Sequence, residues 1–133
     1  MSNPELNPWF EEGVLPNYLG IKLIELDQDR VVATMPVDER QHQHVGYLHG
    51  GVSVFLAETV AGIGAMLNCS DGKTALGSEV NASHVRPKGS GTVTAIATPL
   101  HKGGSSQVWE VVIQDEDEKP VSLARCTLSV TDA

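Results

Sequence analysis

One stretch limits what this chain can fold into. From Gly50 to about Asn68 the sequence carries a single charged residue, Glu58. Apolar residues recur there at Val52, Phe55, Leu56, Ile63, Met66 and Leu67. That is the i, i+3, i+4 spacing of a helix with a broad buried face. Gly50-Gly51 opens the segment and Ser70-Asp71-Gly72 closes it, as helix boundaries require. No second segment of this kind follows, so the helix must find its cover in strands.

The rest of the chain supplies them. Residues 21–26 read as a strand, Asp27-Gln28-Asp29 as a turn and residues 30–35 as the returning strand, with a loop from Pro36 to Tyr47. After the helix, strands are expected at about 74–85, 92–101, 107–115 and 121–130. Alternation is plain in Thr92-Val93-Thr94-Ala95-Ile96-Ala97-Thr98 and in Trp109, Val111 and Ile113 against their polar neighbours. Pro87-Lys88-Gly89-Ser90-Gly91 and residues 115–120 carry turn chemistry. The expected fold is α+β: an antiparallel sheet of about six strands wrapped round one long central helix. At 133 residues the chain has room for one domain, 1–133, with residues 1–18 as an N-terminal arm whose Trp9 and Phe10 dock on the body.

Within the helix, Glu58 sits two turns from the start in apolar company, with Gly51, Ala61, Gly62 and Ala65 expected along its side. A carboxylate in such surroundings either finds a partner or shifts its pKa. Small side chains let a helix, a sheet or a ligand approach. The first amides of a helix lack intrahelical acceptors and, with the dipole behind them, favour negative charge. An oxyanion fits at Gly50-Gly51.

Composition removes several classes of function. The net charge is -8 and the isoelectric point about 4.9, which argues against nucleic acid as the main partner. The start, Met1-Ser2-Asn3-Pro4-Glu5, lacks the basic and apolar regions of a signal peptide. The apolar runs look too short to span a bilayer, so a cytoplasmic location with no membrane partner is expected. Cys69 and Cys126 fall in different elements and read as free thiols. Gly51-Val52-Ser53-Val54-Phe55 lacks the closing glycine of a hydrolase nucleophile elbow, and Gly103-Gly104-Ser105-Ser106 is no phosphate-binding loop of the Walker type. His42, His44 and His49 have no cysteine or second pair to complete a zinc set. No metal is expected.

At His49-Gly50-Gly51 followed by Leu56-Ala57-Glu58 the chain resembles the hotdog-fold acyl-CoA thioesterases. The branch is that of the phenylacetate-pathway thioesterase, the dihydroxynaphthoyl-CoA hydrolase of menaquinone biosynthesis and the enterobactin proofreading thioesterase. Similarity continues through Met35-Pro36-Val37-Asp38, residues 79–86, Pro99-Leu100-His101 and Gln107-Val108-Trp109.

The resemblance implies a hotdog fold and hydrolysis of an aryl or arylacetyl thioester, with coenzyme A entering only as part of the substrate and no cofactor. It implies Glu58 as nucleophile or general base, Gly50 N–H as oxyanion donor, His49 as support for the thioester carbonyl and Gln43 as orienting group. For substrate and CoA it implies Gly77, His84, Val85, Arg86 and Pro87, and the loop His101, Lys102, Gly103, Gly104, Ser105 and Ser106, with Thr59 and Gly62 shaping the acyl pocket. It further implies a homodimer with shared active sites, pairing into a homotetramer. The chain departs from the menaquinone enzyme in having Gly104-Ser105-Ser106 where more basic residues stand, and Pro87 and Gly62 where serines stand. Two other readings of the same residues are a hotdog-fold hydroxyacyl thioester dehydratase and a non-catalytic acyl-CoA-binding module.

Overall fold

The structure is a computed structural model and describes residues 14–133. A one-turn helix α1 (Leu15–Tyr18) leads into the hairpin β1 (Lys22–Asp27) and β2 (Arg30–Val37). The long helix α2 (Gly50–Leu67) follows, then β3 (Lys73–His84), β4 (Gly91–Lys102), β5 (Ser106–Gln114) and β6 (Pro120–Asp132). The six strands form one sheet in the order β1-β2-β4-β5-β6-β3, every neighbouring pair antiparallel. This is the expected sheet round a helix. Trp9 and Phe10 of the expected arm lie outside the described residues. The arm's last turn is α1, and two side chains tie the segment after it to the body: Arg40 Nη1 donates to Tyr18 O (2.8 Å) and the buried Gln41 Nε2 to Leu19 O (2.7 Å).

β2 runs two residues further than the sequence suggests, through Pro36, which stands opposite Thr92 of β4. A proline inside a sheet normally breaks a ladder. Here β1 stops at the Lys22–Thr34 pair, so nothing on that side of Pro36 asks for an N–H.

The core forms where α2 lies on the sheet. Leu56, Val60 and Ile63 of the helix, with Ala57, Ala61 and Ala65 between them, meet Leu23, Val31, Met35, Val93, Trp109, Val111, Ile113 and Leu128. Each large side chain fully buried this way stabilises the fold by roughly 1.5–3 kcal/mol. Trp109 is the centrepiece. Its ring lies against Gly64, where an added Cβ would come within 2.5 Å of it, and its Nε1 donates to Gln107 Oε1 (2.9 Å). Gln107 Nε2 in turn donates to Ala65 O (3.1 Å). At the far end Asn68 Nδ2 donates to Gln28 O (2.7 Å), pinning the end of α2 to the β1–β2 turn.

The expected face is buried in part: Leu56 and Ile63 lie in the core and Val52 and Phe55 pack against it, but the stripe also takes in Ala57, Val60, Ala61 and Ala65. Ala61 and Ala65 face the sheet and let α2 approach it, whereas Phe55 and Leu67 are partly exposed and Met66 is 43% exposed. Glu58 is exposed as well. Its nearest apolar neighbours in sequence, Leu56, Ala57 and Val60, turn into the core, because 100° per residue puts them round the cylinder. The expectation about membrane spans also needs correction. By length and composition alone α2 is long and apolar enough to cross a bilayer; it packs as the core helix of this sheet.

Candidate active site

α2 begins at a cap. His49 is extended (φ -69°, ψ 129°), and its Nδ1 accepts from Gly51 N–H at 2.8 Å. Its carbonyl takes the N–H groups of Val52 (3.0 Å) and Ser53 (3.1 Å). Of the amides in the first turn, Gly50 N–H alone has no acceptor among the described residues. That open donor sits at the positive end of an 18-residue helix. Because Nδ1 accepts, the ring of His49 carries its proton on Nε2 and presents a donor there. The capping role and a carbonyl-supporting role are therefore compatible.

A cleft of about 300 Å³ opens beside this helix start, lined by Gln43, Tyr47, Leu48, Gly50, Ser53 and His84 and closed by residues 85–87, 121 and 122. Gln43 folds its Oε1 back to accept from Val45 N–H (2.6 Å) and Tyr47 N–H (3.3 Å). Its Nε2 remains as a donor. His84 comes from the end of β3 and lies over Gly50: a Cβ on that glycine would stand 2.6 Å from His84 Nε2. The other ring nitrogen, Nδ1, shares a hydrogen bond of 2.8 Å with Ser122 Oγ of β6. Val85, Arg86 and Pro87 continue the wall, and Arg86 Nε donates to Pro120 O (3.4 Å).

Ser53 and Ser122 were not singled out from the sequence. They are 2% and 1% exposed, and both line the cleft. Ser53 follows an obvious signal, a polar residue one turn into an apolar helix. Ser122 becomes visible only through the His84–Ser122 pairing in the sheet.

Glu58 is elsewhere. It lines a second cavity of about 240 Å³ with Phe55, Thr59, Gly62, Ile63, Met66 and residues 75–77 of β3. Its side chain lies across Gly77, where a Cβ would sit 2.6 Å from Oε2. Eight residues of helix separate Gly50 from Glu58, a rise of about 12 Å with a rotation of about 80°. One carbonyl cannot meet both within a single chain. The nucleotide-side residues divide in the same way. His84 to Pro87 belong to the Gly50 end, whereas Gly77 pairs with Leu128, Leu128 with Gln107, and the loop His101 to Ser106 lies just beyond. In that loop Gly103 N–H donates to Ser106 O (2.8 Å), Gly104 and Ser105 form the exposed tip, the His101 ring leans on Gly103, and Lys102 pairs with Asp29 of the β1–β2 turn.

Charge around the two clefts is held mostly in surface pairs. Lys88 pairs with Glu116, whose carboxyl is pulled down to about 2 by that ammonium and by the Thr92 N–H. His42 Nε2 donates to Gly89 O (2.7 Å) and Leu48 N–H to Lys88 O (2.8 Å), so the loop bearing Gln43 is strapped to the 87–91 turn. The thiol of Cys126, behind Glu58, is pushed up to about 12 by burial and then by the Glu58 and Glu79 charges. Both cysteines are free. Among the described residues, no three His, Cys, Asp or Glu side chains gather as a metal site.

One long helix cradled by a six-stranded antiparallel sheet is the hotdog architecture. Residues 45–122 match the thioesterase superfamily, and the chain belongs to it. Among its relatives is the 1,4-dihydroxy-2-naphthoyl-CoA hydrolase of Listeria monocytogenes, 44% identical over 87% of this chain and 94% of that one. The crystal structure of a thioesterase from Haemophilus influenzae superposes with a TM-score of 0.87 at 45% identity, covering 91% of this chain and 85% of that one. A Staphylococcus aureus relative, 31% identical, was crystallised in two variants. The glutamate-to-alanine form has a TM-score of 0.87 over 90% of this chain and 100% of that one, and the glutamine-to-alanine form, called a thioesterase, 0.85 over 87% and 97%.

Proposed function

We propose that the protein hydrolyses an aryl or arylacetyl-CoA thioester to the free acid and CoA at a site built from two subunits. Gln43, His49 and Gly50 of one subunit face Glu58 of the other. The observation that carries this reading is the division of the candidate residues into two half-sites, one where α2 starts and β3 ends, the other half-way along α2 beside the first half of β3. β3 is one of the two edge strands of the sheet, pairs with β6 alone among the described strands, and at 12 residues is twice the length of β1 at the other edge. Such an edge is a template for pairing. Antiparallel pairing with a second copy turns β3 end for end, bringing the Glu58–Gly77 end of one subunit to the Gly50–His84 end of the other. The spacing in the Staphylococcus relative supports the assignment: its substituted glutamine precedes its substituted glutamate by 15 positions, as Gln43 precedes Glu58.

In this site the thioester oxygen accepts from Gly50 N–H and His49 Nε2–H as it becomes an oxyanion, and one such donor is worth about 10²–10³ in rate. Glu58 takes the proton of an attacking water and returns it to the departing thiolate, a contribution of about 10²–10⁴. Alternatively it attacks the carbonyl itself and the resulting anhydride is hydrolysed. Both routes break the C–S bond and yield acid and thiol, and tracing of water oxygen into Glu58 tells them apart. Gln43 Nε2 orients the water or the carboxylate. Arg86, the glycine-rich 103–106 loop and, once released from Asp29, Lys102 offer donors to the phosphates of the nucleotide.

The test is thiol release from benzoyl-, phenylacetyl-, dihydroxynaphthoyl- and medium-chain acyl-CoAs. Glu58→Ala should lose orders of magnitude, and so should Gln43→Ala to a lesser degree. Co-expressing the two variants should restore about a quarter of wild-type activity, because half the random dimers carry one intact composite site of two. Dehydration of a 3-hydroxyacyl-CoA added to the panel with no thiol release from any member, or no recovery on co-expression, would overturn the reading.

A further inference from the structure

Two glycines lie side by side in α2 for different reasons. Gly64 is required by packing, since any Cβ there collides with Trp109. Gly62 is not: a Cβ built on it meets only Leu128 Cδ2 at 3.8 Å, an ordinary contact. It lies inside a regular helix without a positive φ, where glycine is disfavoured relative to alanine. The fold therefore gains nothing from the missing side chain. What gains is the cavity: Gly62 lines its wall one turn beyond Glu58, and Phe55, Glu58, Thr59, Gly62, Ile63 and Met66 form one stripe along the helix.

The chemistry of that wall is one-sided. Phe55, Ile63, Met66, Ala75 and Leu76 present carbon. The hydroxyl of Thr59 is committed as a donor to Phe55 O at 2.7 Å, so beyond Glu58 the wall has no side-chain donor and a single acceptor oxygen to offer. On this wall the second hydroxyl of a dihydroxylated ring faces carbon. The volume, about 240 Å³, exceeds the roughly 150 Å³ at which an apolar cavity takes up benzene.

We infer that Gly62 is the specificity-determining residue of the acyl pocket, its missing side chain making room for an acyl group whose far end is apolar. An unsubstituted aromatic ring fits this description and a polyhydroxylated one does not. The inference rests on the proposed role of Glu58, which fixes where the thioester carbonyl sits.

The experiment compares kcat/KM for benzoyl-CoA, 2,4-dihydroxybenzoyl-CoA and propionyl-CoA in the wild type and in Gly62→Val. The wild type should prefer benzoyl-CoA over its dihydroxylated analogue by about 10- to 100-fold, the discrimination expected when a hydroxyl enters an apolar pocket. Gly62→Val should cut the benzoyl-to-propionyl ratio at least about tenfold, because the valine methyls occupy the ring's place. Thermal melting of Gly62→Ala should show a midpoint at or above that of the wild type, which a purely structural glycine would not. Equal or better turnover of the dihydroxylated substrate, or an unchanged ratio in Gly62→Val, overturns the inference and leaves the hydrolase reading standing. Absence of thiol release from all three, and from the wider panel, would instead bring down the hydrolase reading and the inference with it.

Discussion

Gly77→Ala separates catalysis from folding more cleanly than removal of Glu58 itself. The glycine lies in β3 at a bulge, where the register with β6 shifts between Gly77 and Glu79. It does not use the left-handed region of backbone space, so alanine can adopt its conformation. The new methyl would stand 2.6 Å from Glu58 Oε2, 2.9 Å from Cδ and 3.2 Å from Cγ. Comfortable carbon contacts begin near 3.5 Å, so the carboxylate must retreat by roughly 1 Å. The retreat costs little, because Glu58 is exposed and its tip is the end of a flexible side chain. Replacing glycine at a compatible site stabilises by about 0.4–1 kcal/mol, which offsets any residual crowding. Activity should respond differently: a displacement of about 1 Å in a catalytic group commonly costs about 10²-fold. Thiol release from the best acyl-CoA substrate should therefore fall by about two orders of magnitude, with a melting midpoint within a few degrees of wild type. A variant that hydrolyses as fast as the wild type would refute the claim that Gly77 sets the position of Glu58. One that melts far below it would refute the claim that only a flexible side chain is in the way.

The remaining predictions draw on the same contacts. Gly64→Ala forces a Cβ to within 2.5 Å of Trp109 and should destabilise by about 1–3 kcal/mol in chemical denaturation, the opposite of the gain of up to about 1 kcal/mol expected for Gly62→Ala. Ser122→Ala removes the partner of His84 Nδ1, which holds that ring over Gly50, and should lower kcat/KM for thiol release, while Ser122→Thr retains it. Glu116 titrates at about 2 in the folded protein against an ordinary 4.5. Its pairing with Lys88 thus stabilises the fold fully above about 4.5 and is lost as pH falls from there to about 2; Glu116→Gln should flatten the stability profile in that window in acid unfolding. Cys126, buried and raised to about 12, should resist thiol reagents in the native protein and react only on unfolding.

Much of the fold was legible in the sequence, because periodicity reports which element a segment forms. A long apolar run with one charge made α2 plain, and alternation in residues 92–98 and 109–113 made β4 and β5 plain. The strand ends were missed by one or two residues, as at Pro36, where only the early end of β1 shows why a proline fits. The buried stripe of α2 was read only in part: Leu56 and Ile63 are in the core as expected, whereas Met66 is exposed. Large apolar residues mark a helix, but alanines and glycines mark where a sheet can come close, and Ala57, Ala61, Gly64 and Ala65 are what the sheet covers.

The candidate site divides along the same line. The sequence by itself determined that a glycine pair starts the helix, that a carboxylate follows eight residues after Gly50, and that Gln43 precedes both, since residue type and spacing need no third dimension. Only the tertiary structure decided that His49 spends its Nδ1 on the cap and leaves Gly50 N–H open, that His84 leans on Gly50 while Gly77 carries Glu58, and that these pairs lie apart. Helix rise and strand pairing set those distances, and neither is written in any local stretch of the chain.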